Sequence, residues 1–150
     1  MSSYIIVREK GKNIPVKAKK ILRIEGDGNY VNIYLKNGKV FKNQVGSIRL
    51  WNDRLKKSGR FIKVNRSHLV NYKRVASFSS AGGVVLHLCT VREYLSLLLQ
   101  SESPAKDEAI AKNTLRLHLS PDGFTGLMFR FLHDFPQQSA EDETQSPLAV

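Results

Sequence analysis

The sequence predicts a mainly β fold, with small antiparallel β-sheets, one to two short helices and an irregular C-terminal tail. From residue 4 to about residue 88, short apolar or alternating runs are separated by turn residues, which is typical of strands. Within that range one segment, beginning at Ser47, spaces its apolar residues as a helix does. The polar and acidic run 137–147 (QQSAEDETQSP) has neither period, and 137–150 is expected to be disordered.

Three extended runs open the chain. Tyr4–Arg8 is apolar and β-branched, and a turn at 11–13 (GKN) separates it from 14–16 (IPV). The proline in this second run indicates an edge strand or the start of a strand. The third run is 21–25 (ILRIE), and the loop 26–29 (GDGN) follows it with two glycines that permit positive φ.

A hairpin and a helix come next. Tyr30–Leu35 alternates apolar and polar side chains, and Asn37-Gly38 is a strong hairpin signal before the return strand that begins at Val40. Ser47 is placed to cap a helix with three apolar residues at helical spacing, and Gly59 is placed to end it.

The remaining strands follow the helix. The segment Arg60–Tyr72 (RFIKVNRSHLVNY) leads into two more predicted strands, Val75–Phe78 and Val84–Leu88, with a turn at 79–83 (SSAGG) between them. The first 88 residues are therefore expected to be mostly β with one helix.

The net charge is +11 and is unevenly distributed. Residues 1–75 contain 19 Lys and Arg against four acidic residues, whereas residues 76–150 contain five against nine. A half-chain with a charge of +15 predicts a polyanionic partner, with nucleic acid favoured over a membrane surface.

Cysteine content and apolar runs indicate the compartment. Cys89 is the only cysteine, which excludes a disulfide framework or a cysteine-rich zinc site within one chain. The N-terminal apolar run is too short for a signal peptide, and no stretch approaches the roughly 20 apolar residues of a membrane helix. A soluble, cytoplasmic protein is expected.

The order of these elements resembles a bacterial DNA-binding family. The runs IEGDGNYVNIYLKNGKV and RFIKVNRSHLVNYKRVASF, with a helix between them, are similar to the LytTR DNA-binding domain of bacterial transcription regulators. The family signature Phe-x-x-x-His-Arg-Ser-x-x-Val-Asn is matched by Phe61, Asn65-Arg66-Ser67 and Val70-Asn71. The match extends from residue 4 to about 88, so we place the domain at 4–99 and a tail at 100–150.

The resemblance implies an elongated LytTR-like fold whose loops, rather than a recognition helix, enter successive major grooves of double-stranded DNA. Arg66 suits a bidentate contact to guanine, while Lys63 and Ser67 suit phosphates. Asn29 corresponds to a family loop position that approaches DNA, where its amide would pair with adenine or a phosphate.

The chain departs from the family in two respects. Asn65 stands where the family usually has histidine, and since both hydrogen-bond to a phosphate or a base edge, binding is expected to survive with an altered sequence preference. The family domain commonly follows a phosphoacceptor receiver domain, and here the match begins at residue 4. A stand-alone regulator without a receiver domain is therefore expected.

Several candidate residues also have structural interpretations. Asn29 can cap its own loop, and Asn71 is expected to close a turn rather than touch DNA. His68 is expected to be a surface residue on a strand, and Tyr30 and Tyr34 to pack against neighbouring elements.

Two accounts explain the chain after Leu88. The family ends with a hairpin, Ile-Pro-Val-Ser-Arg and a helix, and a DNA-contacting arginine lies in that last segment. In one account the hairpin is shortened, 91–95 (VREYL) replaces the terminal motif, and Arg92 is the second base-reading arginine. In the other, the reading frame changes near His87–Cys89, because suitable codons at 92–95 would encode Gly-Ile-Pro-Val in the −1 frame.

The tail contains two segments with helical character. Ser103–Leu119 has helical propensity, and 124–135 (FTGLMFRFLHDF) predicts a small amphipathic helix that packs on the domain.

No catalytic residue, metal site or cofactor is expected. The four histidines lack metal-ligand spacing, Cys89 has no recognisable histidine partner, and there is no glycine-rich phosphate loop. The sequence therefore does not predict an enzyme or a small-molecule substrate.

The function predicted first is sequence-specific binding of double-stranded DNA and transcriptional regulation, with two copies on paired half-sites and a separate membrane or signalling partner. One alternative is a basic RNA or single-strand-binding module that stacks bases on Tyr30, Tyr34 and Phe41. Another is a damaged LytTR domain that binds DNA only nonspecifically through its charge.

Overall fold

The computed structural model describes residues 3–134, so the predicted disorder at 137–150 lies outside the described residues. Within 3–134 the chain forms ten strands and four α-helices. The strands are β1 (Tyr4–Glu9), β2 (Lys12–Lys17), β3 (Ile21–Asp27), β4 (Tyr30–Leu35), β5 (Val40–Val45), β6 (Phe61–Asn65), β7 (His68–Asn71), β8 (Val75–Ser79), β9 (Gly83–His87) and β10 (Thr114–Leu117). The helices are α1 (Ile48–Leu55), α2 (Val91–Leu98), α3 (Pro104–Lys112) and α4 (Pro121–Asp134).

The strands form three small antiparallel sheets, which confirms the predicted fold class. The first is the β1–β2 hairpin, whose turn residues Lys10 and Gly11 both have positive φ. The side chain of Gln44 joins this hairpin to β5, because it accepts a 2.8 Å hydrogen bond from Arg8 N and donates one of 2.8 Å to Arg8 O.

The second sheet has five strands in the order β5-β4-β3-β7-β6. The predicted alternation in β4 is confirmed, since Val31, Ile33 and Leu35 are buried. The β4–β5 turn at Asn37-Gly38 is also confirmed, with Gly38 at φ +92°. These neighbours place β3 at the centre of the sheet.

Helix α1 covers one face of this sheet. Ser47 caps it by accepting a 3.2 Å bond from Leu50 N, and Gly59 ends the following turn in the left-handed conformation, as predicted. Ile48, Trp51 and Leu55 form its buried face, which is the amphipathic pattern read from the sequence.

The third sheet has the order β10-β9-β8. Strands β8 and β9 were predicted, but their third strand comes from Thr114–Leu117. The segment 91–95, which in the shortened-hairpin account replaces the family's terminal motif, lies in helix α2. The physical reason is a helix cap, because Thr90 accepts a 3.1 Å bond from Glu93 N.

The region after residue 99 differs from the irregular tail that the sequence predicted. Helix α3 begins with the capping residue Ser103 followed by proline, and β10 follows it. The amphipathic helix predicted at 124–135 is confirmed by α4, which begins slightly earlier, at Pro121. The described chain thus has four α-helices, of which α3 and α4 lie in the two tail segments whose helical character the sequence predicted.

Two hydrophobic clusters stabilise the fold. One lies between the first two sheets and α1 and includes the fully buried Ile24 and Ile33. The other joins β6 to the third sheet and α4 through Val64, Leu86 and Leu127, all with no exposed surface. Helix α4 therefore contributes to the packed core, and this packing stabilises the helix.

Candidate nucleic-acid interface

Three connections meet at one end of the five-stranded sheet, which we call the turn end: 28–29 between β3 and β4, 46–47 between β5 and α1, and 66–67 between β6 and β7. Backbone hydrogen bonds tie them together. Gly26 N donates to Ser67 O over 2.7 Å, and Gly46 N donates to Asn29 O over 2.7 Å. The candidate residues Asn29, Arg66 and Ser67 are thereby held on one surface, and all three side chains are exposed.

The β6–β7 turn presents Arg66 at its tip. Asn65 pairs with His68 across the hairpin, so Arg66 and Ser67 form the two-residue turn between them. Asn65 Oδ1 accepts a 2.8 Å bond from Ser67 N and also contacts His68 Nδ1 at 3.0 Å. Because a carbonyl oxygen only accepts, His68 Nδ1 carries the proton in this arrangement.

The side chain of Asn65 is engaged within the fold. Besides its contacts in the turn, Asn65 Nδ2 donates a 2.7 Å bond to His118 O. Next to it, Val64 O accepts a 2.9 Å bond from Ser120 N. Asn65 therefore fixes the turn that carries Arg66, and in this structure its amide groups face protein partners.

A charged network lies beneath the turn. His68 Nε2 is 3.5 Å from Glu25 Oε2, and Tyr34 Oη donates to Glu25 Oε1 over 3.2 Å. Arg23 lies over the Tyr34 ring, 3.7 Å from its centroid. His68 is thus a half-buried member of this network, not the plain surface residue that the sequence suggested.

The pKa of His68 is lowered by this environment. Burial is the largest cause, and the neighbouring Arg23 guanidinium adds to it. Glu25 acts in the opposite direction, through its charge and its hydrogen bond. The neutral imidazole is therefore favoured in the fold.

Lys63 lies on β6, three residues before Arg66, and its side chain is exposed. It alternates with the buried Val64, as expected for a strand with one face in the core. Lys63 can therefore contact a polyanion at the turn end without disturbing the packing.

The turn end also contains two residues that sequence reasoning missed, Arg116 and His118. Arg116 Nη1 donates to Gly82 O in the β8–β9 turn, and His118 lies beside Asn65. Both side chains are exposed. Their signal was the strict alternation of Leu115–Leu119 (LRLHL), which predicts a strand but lies in a segment with helical propensity.

Arg92 is not brought together with the other candidates. Strand β9 runs away from the turn end to His87, and α2 begins only after it. The His87 ring contacts Tyr94 of α2, with 4.4 Å between the ring centroids, so α2 and Arg92 lie at the opposite end. The turn end consequently contains Asn29, Arg66 and Ser67, with Lys63 nearby on β6, and does not contain Arg92.

Among residues 3–134 no group of three or more His, Cys, Asp or Glu is arranged to hold a metal ion. None of the helices described is long and apolar enough to cross a membrane.

Comparisons with known proteins relate the chain to one family. A family model described as the LytTr DNA-binding domain matches residues 11–97, which is more than half of the chain. The fold is similar to a solved LytTr DNA-binding domain from a Bacillus cereus protein described as a methyl-accepting/DNA response regulator. Identity there is 16%, the TM-score is 0.45, and the match covers 57% of this chain and 77% of that chain. None of the curated proteins compared with the chain matches it.

Proposed function

Because the chain belongs to the LytTR DNA-binding domain family, we propose that it binds double-stranded DNA at specific sequences and regulates transcription, with the turn end inserted in the major groove. The observation that carries the proposal is the convergence of the 28–29 and 66–67 turns, which backbone bonds from Gly26 and Gly46 hold together. Two exposed polar tips on a rigid sheet suit insertion into a groove.

Each residue at the turn end has a distinct role in this proposal. Arg66 makes a bidentate contact to guanine N7 and O6, which is the commonest specific contact to a base. Lys63 and Ser67 bind phosphates, and Asn29 pairs with adenine or a phosphate. Asn65 does not read the base itself but orients Arg66, since its amide is bonded to Ser67 N and His118 O.

Arg116 and His118 extend this surface. They come from β10 and the residue just after it, so the DNA-contacting surface includes a segment beyond the family match at 11–97. Arg92 is not assigned to it, because α2 begins at the other end of β9. Two copies of the chain would occupy paired half-sites about 34 Å apart, one helical turn of the duplex.

Single-stranded nucleic acid is the weaker alternative. A stacking platform requires exposed aromatic faces, but Phe41 is buried and Tyr34 is covered by Arg23. Only Tyr30 of the three aromatic candidates is substantially exposed, at 50%. Duplex DNA is therefore the better-supported partner.

A binding titration at two salt concentrations tests the proposal. A duplex selected from random sequence is compared with an unrelated duplex and with single-stranded RNA. We expect the selected duplex to bind at least about 10³ times more tightly than the unrelated duplex at physiological salt. Equal affinity for all three, vanishing with salt, would leave only nonspecific binding through charge and would contradict the proposal.

A further inference from the structure

Five cationic side chains lie at the end of the five-stranded sheet opposite to the turn end. This lysine–arginine cluster comprises Lys19, Lys20, Lys36, Arg60 and Arg74. Strands of six residues separate the two ends, which corresponds to about 20 Å. The proposed DNA contacts at the turn end therefore do not use this cluster.

The fold brings these residues together from four separate segments. Lys36 N donates a 2.9 Å bond to Lys20 O, which joins the β4–β5 turn to the 18–20 turn. Tyr72 N donates a 2.8 Å bond to Arg60 O, which joins β6 to the turn that carries Arg74. These backbone hydrogen bonds thus fix the segments that carry the five side chains relative to one another.

Asn71 connects these parts. It is fully buried, its Nδ2 donates a 3.0 Å bond to Ile21 O, and its Oδ1 accepts a 3.1 Å bond from Lys73 N. This side chain therefore holds the 72–74 turn next to the start of β3. The prediction that Asn71 closes a turn is confirmed.

The cluster has an excess of positive charge, with the charge of Glu93 acting on one member, Arg74. None of the ion pairs within 3–134 involves any of its five members. Burial lowers the pKa of Lys36, and the charges of Arg74, Arg60 and Lys19 lower it further. The buried Nε of Arg74 has no hydrogen-bond partner. Like charges are thus held close together at a cost that an anion would relieve.

The surface at Lys36 is concave. Lys19, Lys20, Lys36 and Asn37 line a cavity of about 420 Å³, and Leu35 contributes an apolar part of its wall. This volume lies in the range of small-ligand sites. Several donors with positive charge around one cavity suit an anion with several oxygens.

We propose that the lysine–arginine cluster binds an oligophosphate anion, either free or as the phosphate chain of a nucleotide. Lys19, Lys20 and Lys36 donate to phosphate oxygens in the cavity, and Arg60 and Arg74 add positive charge beside it. The site is separate from the turn end, so an oligophosphate and duplex DNA bind simultaneously. The proposal does not depend on the proposed function, because its ligand and its residues are different.

A duplex fits this cluster less well. Duplex phosphates are spread along a long surface with one charge per about 1.7 Å of axis, and nonspecific binding to them requires an extended basic face. Three members of the cluster, Lys19, Lys20 and Lys36, instead line one cavity between turns. A small anion with several oxygens therefore fits this cavity better than a duplex does.

Calorimetric titration of the full chain tests the proposal with inorganic tripolyphosphate and ATP as probes at physiological salt. We expect Lys36→Gln and the double variant Lys20→Gln/Lys36→Gln to weaken tripolyphosphate binding by at least tenfold. The matched control is Lys12→Gln, an exposed lysine of β2 that should bind as the unmodified chain does. Comparable affinity for ATP assigns recognition to the phosphate chain, whereas much tighter ATP binding adds a nucleoside contact; both support the site.

Other results would overturn the proposal. Equal binding by Lys36→Gln and Lys12→Gln would show that only overall charge attracts the anion. Absence of tripolyphosphate and ATP binding, with a loss of duplex affinity in Lys36→Gln, would assign the cluster to the DNA backbone. Thermal unfolding of each variant verifies that it is folded, and Arg66→Ala should retain tripolyphosphate binding even if the DNA proposal fails.

Discussion

At the residue scale, the turn between β6 and β7 concentrates the proposed specificity in one side chain. Arg66 is exposed at the tip, whereas its neighbour Asn65 is held by Ser67 N and His118 O. A flexible arginine on a fixed turn loses less freedom when it binds than one on a mobile loop would. In this proposal Arg66 contacts the DNA base, and the adjacent Asn65 holds the turn in position.

Arg66→Ala tests the base contact. We expect a loss of about 1–3 kcal/mol in binding to the selected duplex and a much smaller loss for an unrelated duplex. The measurement is fluorescence anisotropy with both duplexes. Arg92→Ala removes the same charge from exposed α2 and should leave the ratio of the two affinities unchanged. Equal losses with both duplexes would reduce Arg66 to a phosphate contact.

Lys63→Ala tests the phosphate contact. The exposed Lys63 ammonium contributes charge without reading bases, so we expect weaker binding to every duplex by a similar factor. A plot of log affinity against log salt concentration should lose about one unit of slope. A change in sequence preference without a change in slope would contradict this assignment.

The lowered pKa of His68 predicts that the stability of the fold depends on pH. Its pKa is lowered in the fold by burial and by Arg23, so the unfolded state binds the proton more tightly. The contribution of neutral His68 to the free energy of unfolding is fully present above about pH 6.5, the pKa of histidine in the unfolded chain. It is lost progressively as the pH falls below that value.

Urea unfolding at pH 7.5 and 5.5 measures this contribution. We expect the unmodified chain to lose more free energy of unfolding on acidification than His68→Gln does. His87, whose pKa is also lowered by burial, accounts for part of the loss that remains, so His68→Gln/His87→Gln should be flatter still. An identical pH dependence with and without His68 would contradict the network described beneath the turn.

At the element scale, α4 supports the edge of the five-stranded sheet. The helix begins against β6, where Ser120 N bonds to Val64 O and Leu127 is fully buried. Gly123 contacts the Val64 backbone so closely that a Cβ there would clash with the Val64 carbonyl. This contact lies next to Asn65 and therefore couples α4 to the proposed reading turn.

Gly123→Ala should displace α4 from β6. We expect a loss of about 1–3 kcal/mol in the free energy of unfolding, because backbone has to move to accept the methyl group. Gly126→Ala is the matched control in the same helix, since its Cβ meets only Ile62 Cγ2 at 3.6 Å. In that control the free energy of unfolding should be unchanged or higher by about 0.5–1 kcal/mol. Equal stability of the two variants would show that α4 does not pack as described.

The reading-frame hypothesis concerns the segment after Leu88. We propose that the reading frame changes near His87–Cys89 relative to other family members, because α2 places Arg92 away from the turn end, where the shortened-hairpin account requires a second base-reading arginine. The nucleotide sequence of the gene decides it. The hypothesis predicts codons at 92–95 that encode Gly-Ile-Pro-Val in the −1 frame, and any other codons would end it.

Sequence reasoning succeeded where the determinants are local. The alternation of Tyr30–Leu35, the Asn37-Gly38 turn and the Ser47 cap each specify structure within a few residues, and the structure contains all three. It failed for β10, whose strand partner β9 lies 27 or more residues earlier. It also could not assign the role of Asn65, because the His118 carbonyl that binds its amide is 53 residues away.

At the scale of the whole molecule, seven of the 19 Lys and Arg residues in the first 75 positions lie on two separate surfaces. Arg66 and Lys63 belong to the turn end, whereas Lys19, Lys20, Lys36, Arg60 and Arg74 lie at the opposite end. The total of +11 therefore does not by itself identify the DNA-contacting face. We propose the turn end as that face because it carries Asn29, Arg66 and Ser67 on turns tied by backbone hydrogen bonds, and because Arg66 and Ser67 belong to the family signature.

NMR mapping of the complex shows directly whether the turn end contacts the duplex. On addition of a selected duplex, we expect the largest amide chemical-shift changes at 28–29, 63–67 and 116–118. Amides at 18–20, 36–37 and 72–74 should change little. The largest changes at that opposite end, with the turn end unaffected, would contradict the account.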